Sequence, residues 1–263
     1  MLMRFLAGIA TVVSLAALSA GCNTVVSPEA KGYLQTADTS FRHENNKAAI
    51  ESSSRFIQMY PRLEESGEAY YIRGLARCRE GQISAGKDDL QIALTLTKRK
   101  DLVALVHCRL GDMSYQSGEM ATSEKHYRTA LEYVRHGAPP ADEAMYRLGC
   151  ILQREGRWGE ADLFFSKVVH FFDGTALAER AADHSHAVQW SIQAAAMSNV
   201  TSARHLRGRL RHVGLDARTD LELKSGRVMR LVRVGSYRTY GQAQADLGKV
   251  RRIVSDAFIT SAR

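Results

Sequence analysis

The chain has 263 residues, 36 Lys and Arg residues against 28 Asp and Glu residues, and a formal net charge of +8. This length allows one large domain or two ordinary ones. The signatures of serine hydrolases, zinc peptidases and phosphate-binding loops are absent, so the sequence predicts neither an enzyme nor a catalytic residue. It predicts no cofactor and no metal site, because the cysteines lack Cys-x-x-Cys spacing and His184 and His186 would point to different sides of a helix.

The positive charge is concentrated towards the C-terminal end. Residues 186–263 hold 14 Lys and Arg and 5 Asp and Glu, a net +9, whereas the rest holds 22 basic and 23 acidic residues, a net −1. The pattern changes from helical to strand-like at the same point, which predicts a domain boundary near residue 185. A basic domain favours an anionic partner, such as a nucleic acid, an anionic membrane or an acidic glycan. The alternative is a soluble domain that happens to be rich in arginine.

The first residues carry a targeting pattern. A positively charged start, Met1–Arg4, precedes an uncharged apolar run, Phe5–Leu18. That run is shorter than the ~20 residues that a bilayer-spanning helix needs. Because small residues follow it, at 19–21, the segment is typical of a secretory signal.

Cys22 comes directly after these small residues, and the whole segment resembles a bacterial lipoprotein signal. The resemblance implies a signal peptide over residues 1–21, lipid attachment at Cys22, a lipidated linker over residues 22–29 and a contact with the membrane through this N-terminal lipid. Asn23 stands where the family's inner-membrane retention signal has Asp, which implies an outer-membrane lipoprotein facing the periplasm. The alternative is an ordinary secretory signal in which Cys22 is incidental. We interpret the three remaining cysteines as small buried residues, the commonest fate of free cysteine.

Four similar segments recur between residues 30 and 172. Each is centred on a small residue, and the successive spacings are 37, 37 and 38 residues. A turn former stands seven positions after three of the four centres, a small residue stands twelve positions after every centre, and mostly apolar residues recur after sixteen and nineteen. The pattern predicts two amphipathic helices per unit, a helix A and a helix B, which must stack on neighbouring units because one unit cannot bury its own apolar face. The centres are Ala37, Gly74, Gly111 and Gly149.

The repeat resembles the tetratricopeptide repeat (TPR) family, whose period is about 34 residues. The resemblance implies four TPR-like repeats over residues 30–172, then a linker or capping helix over residues 173–187. In that family the A helices form a concave face that binds protein partners. We expect aromatic and arginine side chains on this face to form a peptide-binding groove, although they would equally suit an ordinary helix surface without a ligand. These residues are Phe41, Arg42, Tyr71, Arg79, Tyr115, Tyr146 and Arg154.

After residue 187 the pattern alternates between strand and helix. Strand patterns cover Trp190–Met197, Leu215–Leu223, about Val228–Val234 and Ala257–Thr260, with apolar helical stripes over Val200–Val213 and Ala243–Val250. The order βαββαβ predicts a ferredoxin-like arrangement with both helices on one face of the sheet. The expected fold class is therefore α + β in two domains, an all-α TPR-like helical repeat array followed by a small βαββαβ domain.

Two families with this strand and helix order are relevant. RNA-recognition domains carry a glycine and aromatic motif that "RLVRVGSY" lacks, and the lipoprotein signal also argues against RNA, so no nucleic-acid partner is expected. Two stretches instead resemble the SPOR domain. "IQAAAM" at 192–197 is similar to the first strand of that domain, and "LVRVGSY" at 231–237 is similar to its third strand. The resemblance covers residues 188–263. It implies binding of peptidoglycan glycan strands that have lost their stem peptides, as occurs at division septa.

The resemblance places candidate glycan-binding positions at Gln193, Ala196, Leu231 and Arg233. Arg233 would pair with the lactyl carboxylates of such strands, unless it is simply a solvated strand arginine, and the Gln193 amide can both donate and accept hydrogen bonds. We expect a non-enzymatic periplasmic lipoprotein that binds denuded septal glycan and recruits protein partners in cell division or cell-wall remodelling. The alternatives are an outer-membrane assembly scaffold in which the SPOR-like domain is only a cell-wall anchor, and an unrecognised glycan hydrolase.

Overall fold

The computed structural model describes residues 26–224 and 226–262. The predicted signal segment and Cys22 lie outside these residues. A search of the described helices finds none that is both long enough and apolar enough to cross a membrane.

The first part of the described chain is a series of helix pairs. The helices are α1 (Pro28–Arg42), α2 (Asn46–Met59), α3 (Ser66–Arg79), α4 (Ile83–Leu96), α5 (Lys100–Gln116), α6 (Met120–Tyr133), α7 (Ala141–Arg154), α8 (Trp158–Phe171) and α9 (Ala176–His184). Apolar clusters run along the array from α1 to α9, because each pair buries its remaining apolar surface against the next pair. This arrangement confirms the predicted TPR-like array.

The small residue at a predicted centre lets the two helices of a pair approach closely. A Cβ atom at Gly149 would lie 2.7 Å from the ring of Phe165, and one at Gly111 would lie 2.9 Å from the ring of Tyr127. The hydroxyl of Ser123 donates a hydrogen bond of 2.8 Å to the Gly111 carbonyl oxygen at the same contact. Helix A therefore accepts the bulky side chain of helix B at a residue that has no side chain of its own.

The turn inside each pair uses one backbone conformation in all four units. Gly81, Gly118 and Gly156 have φ angles of 80°, 82° and 79°, and Glu44 occupies the equivalent place with a φ of 60°. Positive φ angles of this size favour glycine, which has no Cβ atom to clash with the backbone. The three glycines that stand seven positions after their centres therefore form the turns between helix A and helix B.

The second part of the chain is a four-stranded antiparallel sheet with two helices. Its elements are β1 (Gln189–Met197), α10 (Val200–His212), β2 (Ala217–Lys224), β3 (Arg227–Tyr237), α11 (Tyr240–Arg251) and β4 (Phe258–Ala262), and the strand order is β2-β3-β1-β4. Leu206 of α10 and Leu247 of α11 pack with Val232 and Val234 of β3 in one core. The predicted βαββαβ order is confirmed.

The sheet packs directly against the end of the helical array. The Trp190 Nε1 atom donates a hydrogen bond of 3.0 Å to the Gln153 carbonyl oxygen, and the Trp158 Nε1 atom donates one of 3.1 Å to the Arg238 carbonyl oxygen. The ring centroid of Trp190 lies 5.6 Å from that of Trp158 and 5.3 Å from that of Tyr240. We call this aromatic contact of Trp158, Trp190 and Tyr240 the junction.

Candidate functional site

The face of the sheet that carries no helix is the first candidate site, and we call it the open face. Val232 and Val234 point towards the helices. Since successive side chains of a strand point to opposite faces, Leu231 and Arg233 belong to the open face. Arg233 pairs across the strands with Gln193 of β1, so two of the expected glycan-binding residues are neighbours.

Arg233 is not a freely solvated arginine. Its side chain is 17% exposed, and its guanidinium lies 3.3 Å from the carboxylate of Asp220 and 3.8 Å from that of Glu222. Its Nε atom is buried without a hydrogen-bond partner in the described residues. The two carboxylates hold the guanidinium in place, but they also offset its charge. A ligand carboxylate therefore has to compete with them.

The other two expected glycan-binding residues differ in access. Leu231 lies on the open face but is only 5% exposed, which leaves little surface for a ligand. Ala196 is exposed at the far end of β1 and pairs with Leu231 in the register of the strands. Of the two cross-strand pairs, Gln193 and Arg233 are therefore the one in which both side chains keep some exposed surface.

Two residues of the open face have no role in the sequence-based prediction. Arg218 of β2 pairs with Arg233 in register, and it donates hydrogen bonds of 2.7 Å to the Gly235 carbonyl oxygen and 3.1 Å to the Ser236 hydroxyl. Phe258 of β4 pairs with Gln193 and is 49% exposed, so it offers an apolar surface beside the amide. A hairpin turn predicted between Lys224 and Arg227 would have paired Arg218 with Arg233 by equal counting along the sequence.

The net positive charge of this domain does not lie on the open face. There, the arginines at 218 and 233 face the carboxylates of Asp220 and Glu222. Four of the nine excess positive charges lie instead on α10, which covers the opposite side of the sheet and carries basic residues without any acidic one. These include Arg204, Arg207, Arg209 and Arg211.

The second candidate site is a cavity of about 610 Å³ in the helical array, at the level of α3, α4 and α5. Apolar side chains such as Leu75 and Met113 line it, and Phe41 and Arg79 of the predicted groove lie at its edge. The Arg79 guanidinium stacks 3.9 Å from the centroid of the Phe41 ring and donates a hydrogen bond of 3.2 Å to the Phe41 carbonyl oxygen. This volume is typical of small-ligand and peptide side-chain pockets, which span roughly 300–1,000 Å³.

Tyr146 and Arg154 of the predicted groove do not form one continuous surface with this cavity. Tyr146 is 4% exposed, with the Arg180 guanidinium 4.8 Å from its ring centroid, because α9 packs across the last helix pair. Arg154 stacks 4.0 Å from the ring centroid of Tyr240 at the junction, so its partner is the sheet domain.

The other three groove candidates have local partners. Tyr71 is partly covered, and burial raises the pKa of its hydroxyl although the Arg109 guanidinium opposes this. The Arg147 guanidinium lies 5.7 Å from the ring centroid of Tyr115. The exposed Arg42 forms a 2.9 Å ion pair with Asp38.

The three cysteines within the described residues are free thiols. Cys108 is buried, and burial raises its pKa to about 12, which keeps the thiol protonated and unreactive. Burial also raises the pKa values of Cys78 and Cys150, which are partly covered. No cluster of three or more histidine, cysteine, aspartate or glutamate residues in the described ranges is arranged to hold a metal ion.

Comparison with known proteins separates the two parts of the chain. The model of the SPOR domain family matches residues 187–261. No curated protein matches the chain. Solved structures resemble the helical array, and three examples are RapI in its apo form, PilF of Pseudomonas aeruginosa and a tetratricopeptide repeat protein from Parabacteroides merdae ATCC 43184.

These structural likenesses show the fold of the array. RapI is 15% identical with a TM-score of 0.52, over 60% of this chain and 47% of its own. PilF is 15% identical with a TM-score of 0.50, over 59% of this chain and 67% of its own. The Parabacteroides protein is 14% identical with a TM-score of 0.50, over 60% of this chain and 59% of its own. The chain therefore joins a helical array with a TPR-like fold to a region, residues 187–261, that matches the SPOR domain family.

Proposed function

We propose that this protein is a non-enzymatic scaffold of the bacterial envelope. Its SPOR domain binds peptidoglycan glycan strands that have lost their stem peptides, and its helical array holds a protein partner in the cavity beside Phe41 and Arg79. The SPOR match over residues 187–261, together with the neighbouring Gln193 and Arg233 on the open face, is the observation that supports this proposal. A role in cell division or cell-wall remodelling follows from where denuded glycan occurs.

The open face carries the chemistry that such a strand requires. The Phe258 ring offers an apolar surface to a sugar ring, the Gln193 amide donates to and accepts from sugar groups, and the guanidinium of Arg233 pairs with a lactyl carboxylate. Arg233 is already oriented by Asp220, so little side-chain entropy is lost when the ligand binds. Stem peptides would prevent a strand from lying flat on the sheet, so denuded strands are preferred.

The test is the binding of purified full-length protein to sacculi with and without prior amidase treatment. The wild type should bind treated sacculi more strongly. Gln193→Ala and Arg233→Ala should each weaken this binding, and loss of the charge-assisted contact of Arg233 should cost about tenfold to a hundredfold in affinity. Arg209→Ala on the opposite side of the domain is the matched control and should bind like the wild type at moderate salt. Equal binding by the Arg233 variant and the wild type would contradict the proposal.

We also propose that Cys22 anchors the protein to the outer membrane, with both binding domains in the periplasm. The short apolar run and the small residues before Cys22 support this. Cys22→Ala should move the protein from the membrane fraction to the soluble periplasmic fraction. An unchanged distribution between these fractions would show that the cysteine carries no anchor.

A further inference from the structure

A crevice of about 520 Å³ lies between the helical array and the sheet domain. The start of α8 contributes Trp158 to its wall, the start of β1 contributes Gln189, and the end of β3 contributes Ser236 and Tyr237, followed by Arg238. Neither the predicted groove nor the predicted glycan-binding residues include any of these five side chains. The crevice is therefore a separate feature that the two domains create together.

The crevice lies at one end of the open face. Gln189 and Gln193 belong to the same strand and are four residues apart, so their side chains point to the same side of the sheet at a distance of about 13 Å. Ser236 accepts a hydrogen bond of 3.1 Å from Arg218, which neighbours Arg233 in register. An extended ligand that lies on Gln193 and Arg233 and runs along β1 towards the helical array therefore enters the crevice.

The lining of the crevice suits a sugar. Trp158 and Tyr237 provide aromatic surface, while the Gln189 amide, the Ser236 hydroxyl and the Arg238 guanidinium provide donors and acceptors. The Trp158 Nε1 atom already donates to the Arg238 carbonyl oxygen, so this side chain is fixed and offers its ring rather than its N–H group. Among the described residues, no acidic side chain lines the crevice, so a carboxylate-bearing strand would meet no carboxylate in its walls.

We propose that the glycan strand bound on the open face continues into this crevice, where Trp158 of the helical array forms part of a second sugar subsite. The inference rests on the proposed glycan-binding function and adds to it. The SPOR domain alone then binds a shorter length of glycan than the whole protein, because one wall of the subsite belongs to α8.

The test compares the binding of a denuded disaccharide and a denuded hexasaccharide to the full-length protein. Val188 lines the crevice and is 60% exposed, and Val188→Trp is designed to fill the crevice. The matched control is Val213→Trp, because Val213 at the end of α10 is 57% exposed and lies away from the crevice. The wild type and the control should prefer the hexasaccharide over the disaccharide. Val188→Trp should reduce this preference by roughly threefold to tenfold, which is the range expected for the loss of one aromatic contact.

Tryptophan fluorescence gives an independent readout, because the chain has two tryptophans and both lie at the junction. The hexasaccharide should change the emission of the wild type, and this change should be largely lost in Trp158→Phe, which keeps an aromatic ring in the crevice. If Val188→Trp keeps the full preference for the hexasaccharide, the crevice subsite is wrong while the open face remains supported. If the wild type binds neither oligosaccharide, both the subsite and the proposed function are wrong.

Discussion

Glu44 occupies a backbone position that glycine fills in the other three units. Its φ of 60° lies in the left-handed region, where a residue with a Cβ atom is strained by about 1–2 kcal/mol. Glycine relieves this strain but loses more conformational freedom on folding, which offsets part of the gain. The first unit therefore holds a local strain that the next units avoid.

We expect Glu44→Gly to raise the free energy of unfolding by about 0.5–1 kcal/mol, measured by urea denaturation of the full-length protein. The matched substitution in the opposite direction is Gly118→Ala. Gly118 has a φ of 82°, and an added Cβ atom there would have no atom within 4 Å. Only the backbone conformation opposes this substitution. Gly118→Ala should therefore lower the free energy of unfolding by about as much as Glu44→Gly raises it. A Glu44→Gly variant no more stable than the wild type would show that the first turn relaxes around Glu44.

His107 of α5 and His126 of α6 form a close pair, with 3.0 Å between their Nδ1 atoms. One ring has to be neutral in order to accept the hydrogen bond. Burial and then the charge of His107 lower the pKa of His126 to about 4, and burial lowers the pKa of His107 as well. In the unfolded chain both pKa values return to about 6.5. The stabilising contribution is therefore complete above about pH 6.5 and is lost as the pH falls towards about 4.

We expect the free energy of unfolding to fall by about 1 kcal/mol more in the wild type than in His126→Asn between about pH 7.5 and pH 5, after a discount for partial exposure. The comparison between the two proteins removes the contribution of other titrating groups that they share. Urea denaturation at each pH measures the difference. An identical fall in both proteins would show that the pair does not couple protonation to stability.

At the scale of the elements, the α5–α6 and α7–α8 pairs depend on the contact between a glycine and an aromatic ring. A Cβ atom at Gly149 would lie 2.7 Å from Phe165, closer than real Cβ contacts allow, and Phe165 is fully buried. We expect Gly149→Ala to lower the free energy of unfolding by about 1–3 kcal/mol, because α7 and α8 have to move apart. Thermal and urea denaturation measure this loss.

Gly32→Ala is the matched control, since it is also a glycine-to-alanine change within a helix of the array. An added Cβ atom at Gly32 meets no atom within 4 Å. The better helix propensity of alanine should then raise the free energy of unfolding by about 0.5–1 kcal/mol. Destabilisation of both variants to the same extent would contradict the close-packing role of Gly149.

Periodicity predicted the elements well because it depends on local sequence. The centres at intervals of 37 and 38 residues identified the helix pairs, and the alternating segments identified the strands and their order. Thr239 and Gln242, three residues apart, form a capping box at the start of α11. The same spacing could not show what lies over a helix face. The spacing placed Tyr146 among the predicted groove residues, yet α9 covers its side chain.

Ion pairs were equally invisible in the sequence pattern. Arg73 and Arg77 of α3 both form ion pairs with Asp89 of α4, which is 2% exposed. Arg233 was predicted to pair with a ligand carboxylate, but Asp220 and Glu222 from the neighbouring strand already form ion pairs with it. Such partners depend on register and on packing between elements, and one strand read alone does not specify either.

At the scale of the whole molecule, the junction decides how independent the two domains are. The sheet domain has its own core, so a fragment covering residues 186–263 should fold alone. In the full chain Trp190 is buried against the helical array, and in the fragment it loses that cover.

We expect the Trp190 emission of the fragment to shift to longer wavelength, relative to the full-length Trp158→Phe variant in which Trp190 is the only tryptophan. Its melting temperature should also lie below that of the sheet domain in the full chain, because the Trp190 contacts are missing. Identical emission in the two proteins would show that the junction does not persist in solution.

The short connection at residues 185–188 and the junction together determine how a partner bound to the array would be oriented relative to peptidoglycan. With a long flexible linker, the effective concentration of a partner at the glycan would fall off steeply with linker length. A protein bound to the array, as proposed above, would instead be presented at a set separation and direction from a glycan strand on the sheet. A partner with only weak affinity for peptidoglycan would then gain avidity if its own binding surface matched that direction, and would gain nothing if it faced away.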